Sequence, residues 1–202
     1  AYNNKGETYK AIDIMKEALK KNPKNVDFLN NLGMFYSNIY DYKKAEEKYK
    51  KGLEIEKNNL SLLNNLANLK KDLDQTDEAV NIYEKILSIK SDSLLVMYNS
   101  AGLYNSLGEF EKSKKLYFQM LEIKPDFTEA DRLISQMEKY DSKHKHFLNL
   151  KEKLSNMRLE DNSLVHLHFA LGKAHGDQKN YFESFDNDKK ANDISKKISN
   201  YS

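Results

Sequence analysis

The sequence predicts an all-α solenoid of antiparallel helix hairpins stacked in a right-handed superhelix. Three observations carry that expectation. Residue kinds recur with a period of 34, and within each period large and small apolar residues fall at helical spacing. The 202 residues also contain only two prolines and seven glycines, too few for a sheet-rich fold with many turns.

Shifting the sequence by 34 aligns Gly6, Tyr40, Asp74 and Gly108 at a turn. The shift also aligns Ala11, Ala45, Ala79 and Ser113, then Met15, Tyr49, Tyr83 and Tyr117, then Ala18, Gly52, Ile86 and Met120. Pro23, Lys57, Ser91 and Pro125 close successive units. Leu29, Leu63 and Met97 open the next helices, and the small Gly33, Ala67 and Ala101 follow four residues later. In "FLNNLGMFY", Leu29, Leu32, Gly33 and Tyr36 share one helical face, and Gly33 permits close approach of a neighbour. In "YKKAEEKYKKGLEI", Tyr42, Ala45, Tyr49, Gly52 and Leu53 form the inner face of the partner helix, while Lys and Glu fill its outside.

The resulting single domain spans 1–202: a partial repeat at 1–23, full repeats at 26–59, 60–93 and 94–127, a degenerate hairpin at 128–155 and a final hairpin at 163–198. The degenerate hairpin places Asp131 in a large apolar column and Phe147 in a small one. The linker "SNMRLEDN" then displaces the period by three residues, after which His168, Leu171, Gly172 and His175 take the first-helix places, and Tyr181, Ser184 and Ala191 the second-helix places.

Composition excludes several function classes. The 33 Lys plus Arg nearly balance the 31 Asp plus Glu, so no basic field argues for nucleic acid. The absence of cysteine removes disulfides, thiol catalysis and cysteine-ligated metals, and leans toward a cytoplasmic location. No apolar run approaches the ~18 to 20 residues of a membrane span, so no membrane insertion is expected. Ala1, with no signal-like region after it, reads as an artificial or processing boundary of a longer protein. No GxSxG, phosphate loop, HExxH or convergent acid pair is present, which predicts no catalytic residue and no cofactor in this chain. The five histidines, in "HKH", "HLH" and at His175, are not spaced for chelation, and no metal site is expected.

The period and its small-residue columns are those of the tetratricopeptide repeat, which the chain resembles throughout. The stretch "LHFALGKAHGDQKNYFESFDNDKKAN" further resembles the last hairpin before the sulfotransferase domain of bacterial two-domain proteins, on Phe169, Ala170, Leu171, Gly172, Lys173, Ala174, Asp177 and Phe185. Ser184 and Gly176 depart from that pattern. The resemblance covers roughly residues 128 to 192. It implies a docking region of a sulfotransferase that uses a phosphosulfate nucleotide, with the catalytic domain outside this chain. The alternative is a stand-alone adaptor that binds an extended peptide in its concave groove.

First-helix residues not used in hairpin packing should line that groove: Asn30, Met34 and Ser37, then Asn64, Asn68 and Lys71, then Tyr98 and Asn105. Amide side chains offer donor and acceptor together and suit an extended backbone. Against this, asparagine is abundant everywhere, 22 of 202 residues, and a plain solvated surface is the competing reading. Phe169, Lys173 and Asp177, four apart on one flank, have no place in hairpin packing. The sulfotransferase resemblance implies that they face a following domain, and the competing reading is an ordinary i,i+4 ion pair beside an exposed ring.

Overall fold

The computed structural model describes residues 2–199, with side chains from residue 6. Among these residues the fold is all-α, a tetratricopeptide-type solenoid of antiparallel helix pairs, as predicted. There are eleven helices: α1 Tyr2–Lys21, α2 Val26–Asn38, α3 Tyr42–Ile55, α4 Leu60–Asp72, α5 Thr76–Ile89, α6 Leu94–Ser106, α7 Phe110–Ile123, α8 Thr128–Met137, α9 Lys145–Asn156, α10 Asp161–Asp177 and α11 Tyr181–Ser199. They form two compact units, 1–96 and 97–202, the boundary falling within α6.

In the first unit the starts of α2 and α4 are fixed by asparagine. Asn25 Oδ1 accepts from the Phe28 N–H at 2.9 Å, and Asn59 Oδ1 from the Leu62 N–H at 3.1 Å, satisfying amides that have no helical partner. Part of the asparagine excess therefore has a capping role. The core joins Ile12, Leu32, Tyr36, Tyr49, Leu62, Leu66 and Leu69, all buried. The Tyr49 ring lies directly on Gly33, in the space a Cβ would need. Gly52 likewise admits Leu62, whose Cδ1 lies 2.6 Å from where a Cβ would stand. Lys70 is 4% exposed, and its Nζ is held by Glu46 and Glu78, each at 2.9 Å, and by Gln75 at 2.8 Å. Burial works to lower its pKa, but the hydrogen bonds it donates to the two glutamates outweigh that and raise it.

The turn column that holds Tyr40, Asp74 and Gly108 acquires a backbone explanation. Tyr40 has φ 64°, Asp74 59° and Gly108 75°, and Lys179, at the same place in the last hairpin, has 63°. Each ends its helix in a Schellman motif. At Tyr40 the bonds are Tyr40 N–H to Ser37 C=O and Asp41 N–H to Tyr36 C=O, both 2.9 Å; Lys179 and Asn180 repeat them to Gly176 and His175, both 3.0 Å. Only one of these four left-handed positions is glycine. Lys179→Gly is expected to stabilise the last hairpin by about 0.5–1 kcal/mol, as relief of the left-handed strain outweighs the extra freedom of glycine in the unfolded chain. Urea unfolding of the full chain checks the sign, with Gly108→Ala expected to move the other way.

In the second unit the Ser113 hydroxyl, in the alanine column, donates to the Ala101 carbonyl at 2.8 Å. The two irregular residues of the segment expected as a degenerate hairpin have separate surroundings. Phe147 is bulky where Ala45, Ala79 and Ser113 are small, and α8 and α9 both pack on α10. Asp131, completely buried, bridges to α9: Lys153 Nζ reaches its two oxygens at 2.9 and 2.7 Å, and His146 Nε2 lies 3.0 Å from Oδ1. A carboxylate only accepts, so His146 donates from Nε2, and its Nδ1 accepts the Tyr140 hydroxyl at 2.7 Å. Tyr140 also joins an apolar cluster of Phe147, Leu150, Leu167, Ala170, Leu171 and Ala174.

Candidate functional site

The first-helix faces present the residues that hairpin packing leaves over. In the first unit Met34 is exposed (41%) and Ser37 half-buried, while Lys71 stands exposed in the last turn of α4. The amides are more committed than the sequence suggested. Asn30 Oδ1 accepts from Asn65 Nδ2 at 2.9 Å, linking α2 to α4. Asn68 Oδ1 accepts the Tyr83 hydroxyl at 2.5 Å, which leaves its amide nitrogen as the donor. Asn64 is half-buried and engaged. Asn65 was absent from the sequence-derived set, and a 34-residue column alone cannot reveal a bond between neighbouring columns.

In the second unit the Tyr98 hydroxyl donates to Glu129 Oε1 at 2.7 Å, and its ring meets the edges of Tyr117 and Phe127 at 6.2 and 6.1 Å. Burial first, then the Glu129 bond, pushes that hydroxyl's pKa up to about 12. Asn105 is half-buried. Carried forward by 34, and then by 37 across the inserted linker, the Asn30 column continues through Arg132 to Phe169, and the Met34 column through Gln136 to Lys173. The structure brings these four together. With Ser135, Gly172, Gly176, Asp177, Ser184 and Asp188 they line an open cleft of about 410 Å³. The Arg132 guanidinium sits over the Phe169 ring, 4.8 Å from its centre, and has no carboxylate partner among the described residues.

Lys173 and Asp177 also have a task inside the chain. Lys173 Nζ donates to the Glu138 carbonyl at 2.6 Å and pairs with Asp177, whose Oδ2 accepts the Tyr140 N–H at 3.0 Å. Together they fasten α10 to the end of α8, a contact the sequence reading did not supply.

The histidines are spread over separate surroundings. His146 belongs to the buried network, His168 Nδ1 faces Asn187 Oδ1 at 2.9 Å, His175 meets the Phe147 ring at 5.2 Å, and His144 lies 3.6 Å from Glu138. His166 is half-buried, and burial lowers its pKa. Among the described residues no three histidines or carboxylates are arranged to hold a metal ion. The Asp131, His146 and Tyr140 chain has the bonding order of a relay, but all three are at most 4% exposed, and the bonds described above engage both histidine nitrogens, the tyrosine hydroxyl and both carboxylate oxygens.

Two family models, both described as tetratricopeptide repeat, match residues 14–47 and 71–137, together half of the chain. The chain belongs to the tetratricopeptide-repeat proteins. No curated protein matches it. Among solved structures, this tetratricopeptide chain is similar to BtubC (BKLC) from P. vanneervenii at 15% identity and TM-score 0.71, covering 100% of this chain and 93% of that one. It is similar to MamA at 21% identity and TM-score 0.58, covering 98% and 95%. It is also similar to YrrB, described as a TPR protein with an unusual peptide-binding site, at 15% identity and TM-score 0.66, covering 89% and 91%. At these identities the likeness is one of fold. No helix among the described residues is long and apolar enough to cross a membrane.

Proposed function

We propose that the chain is an interaction scaffold that binds an extended peptide of a protein partner on its first-helix faces. The observation that carries this reading is the cleft on α8 and α10, where Arg132, Gln136, Phe169 and Lys173, all in groove columns, line open space instead of packing a hairpin. A guanidinium without a carboxylate, an amide and a half-covered ring are groups that a peptide can satisfy. YrrB, a protein of the same fold, is described as having a peptide-binding site, which supports peptide binding as a use of this fold.

The sulfotransferase-associated reading draws on the resemblance alone. Its residues Lys173 and Asp177 are already engaged within the chain, which favours the adaptor. Peptides selected from a random display library on the full chain should bind the groove. Met34→Arg and Gln136→Arg, both at exposed groove positions, are expected to weaken one or more selected peptides about tenfold or more by blocking the face. Lys115→Glu, exposed on α7, should leave them unchanged. Peptides indifferent to both groove variants would show that binding occurs elsewhere.

A further inference from the structure

The last hairpin departs from the first three full hairpins at one packing position. In the first three hairpins the second helix sends a tyrosine inward: Tyr49, Tyr83 and Tyr117, each at most 2% exposed. Tyr49 lies on Gly33, and the Tyr83 hydroxyl passes through to the first-helix face, where it meets Asn68. With the offset of the inserted linker, Gly33 corresponds to Gly172, Ala45 to Ser184 and Tyr49 to Asp188. The structure agrees with that register, because the Asp188 carboxylate lies over Gly172, its Cγ 2.9 Å from where a Cβ would stand. An aspartate has replaced the ring, and the cleft lined by Gly172, Gly176, Ser184 and Asp188 opens where the ring would lie.

We propose that this cleft is a slot for a tyrosine side chain of the bound peptide, entering from the first-helix face with its hydroxyl leading and donating to Asp188. Three observations specify the occupant. The cleft stands at the register position that a buried phenol ring, Tyr49, Tyr83 or Tyr117, fills in three other hairpins. Asp188 is half-buried and has no hydrogen-bond or ion-pair partner among the described residues, so it lacks a donor; burial raises its pKa accordingly. The remaining charges at the cleft are Arg132, and Lys173 balanced by Asp177, so a lysine from the peptide would stand beside the Arg132 cation, unpaired among the described residues, whereas a phenol brings no charge. A phenylalanine would fill the space and leave Asp188 without a donor.

The inference rests on the groove reading, and its test is separate. N-acetyltyrosinamide is titrated into the ¹⁵N-labelled full chain and compared with N-acetylphenylalaninamide and N-acetyllysinamide. Saturable shifts centred on the Gly172, Gly176 and Ser184 amides are expected, with the tyrosine probe at least about tenfold tighter than the phenylalanine probe, as one hydrogen bond to a charged acceptor implies. Asp188→Tyr should fill the slot from within, raise the unfolding midpoint and abolish the response. Asp188→Leu, which removes the acceptor with less bulk, should weaken the tyrosine response about tenfold or more and remove its preference over phenylalanine. No saturable shift, equal response to tyrosine and phenylalanine, preference for lysine, or an unchanged response in folded Asp188→Leu would overturn the proposal. Selected peptides that bind Asp188→Leu with undiminished affinity would overturn the slot while groove binding stands.

Discussion

Asp131→Ala is expected to destabilise the second unit by about 3–5 kcal/mol, among the largest costs of any single substitution in the chain. The reason is what remains behind. Lys153 is 5% exposed and finds its hydrogen bonds on both oxygens of Asp131, and His146, 4% exposed, donates to the same carboxylate. Without that acceptor an ammonium group stays buried with no counter-charge, and an imidazole N–H stays buried with no partner. Chemical denaturation of the full chain, followed by circular dichroism, measures the loss. The double variant Asp131→Leu with Lys153→Met removes both charges and should recover most of it, since a buried ion pair is often no better than apolar residues of similar volume. A double variant as unstable as the single one would mean that packing around Phe147, not the charge, sets the cost.

Tyr83→Ala should cost a similar amount, about 3–5 kcal/mol, in the first unit. Tyr83 has no exposed surface and spans the space between α5 and α4 to reach Asn68. Removing a wholly buried ring leaves a cavity and strands the Asn68 oxygen. Tyr83→Phe separates the two effects: it keeps the ring, loses the hydroxyl, and should cost only about 0.5–1.5 kcal/mol. Comparable losses for the two variants would show that the hydrogen bond, not the filled volume, carries the position.

The helices and their pairing were legible in the sequence because a solenoid writes its packing as a period. Gly33 beneath Tyr49 is a local consequence of two columns, and both columns are visible in the sequence. The turn column was visible without its cause, since a left-handed backbone leaves no side-chain signature when Tyr40, Asp74 and Lys179 adopt it as well as Gly108. Asp131 read as a defect because its partners, His146 and Lys153, stand in no periodic relation to it. Asn30 and Asn68 lie on α2 and α4, and their bonds to Asn65 and Tyr83 depend on side-chain reach that a column does not show. The three-residue offset was legible as well, but not all that it implies. Carried further, it shows that Phe169 and Lys173 continue the columns of Asn30 and Met34, and that Asp188 stands in the tyrosine column.

The ionic bridge between α8 and α9 also governs which mistakes this repetitive chain can make while folding. Helices that present leucine, alanine and tyrosine at the same intervals offer one another interchangeable faces, and repeat proteins misassemble through such exchanges. A slip of one turn displaces a helix by about 5.4 Å along its axis, enough to part Lys153 from Asp131 and bury both charges alone. No such penalty attends a slip between purely apolar faces. The degenerate pair thus acts as an alignment key: by departing from the pattern that the other hairpins share, it accepts one partner in one position.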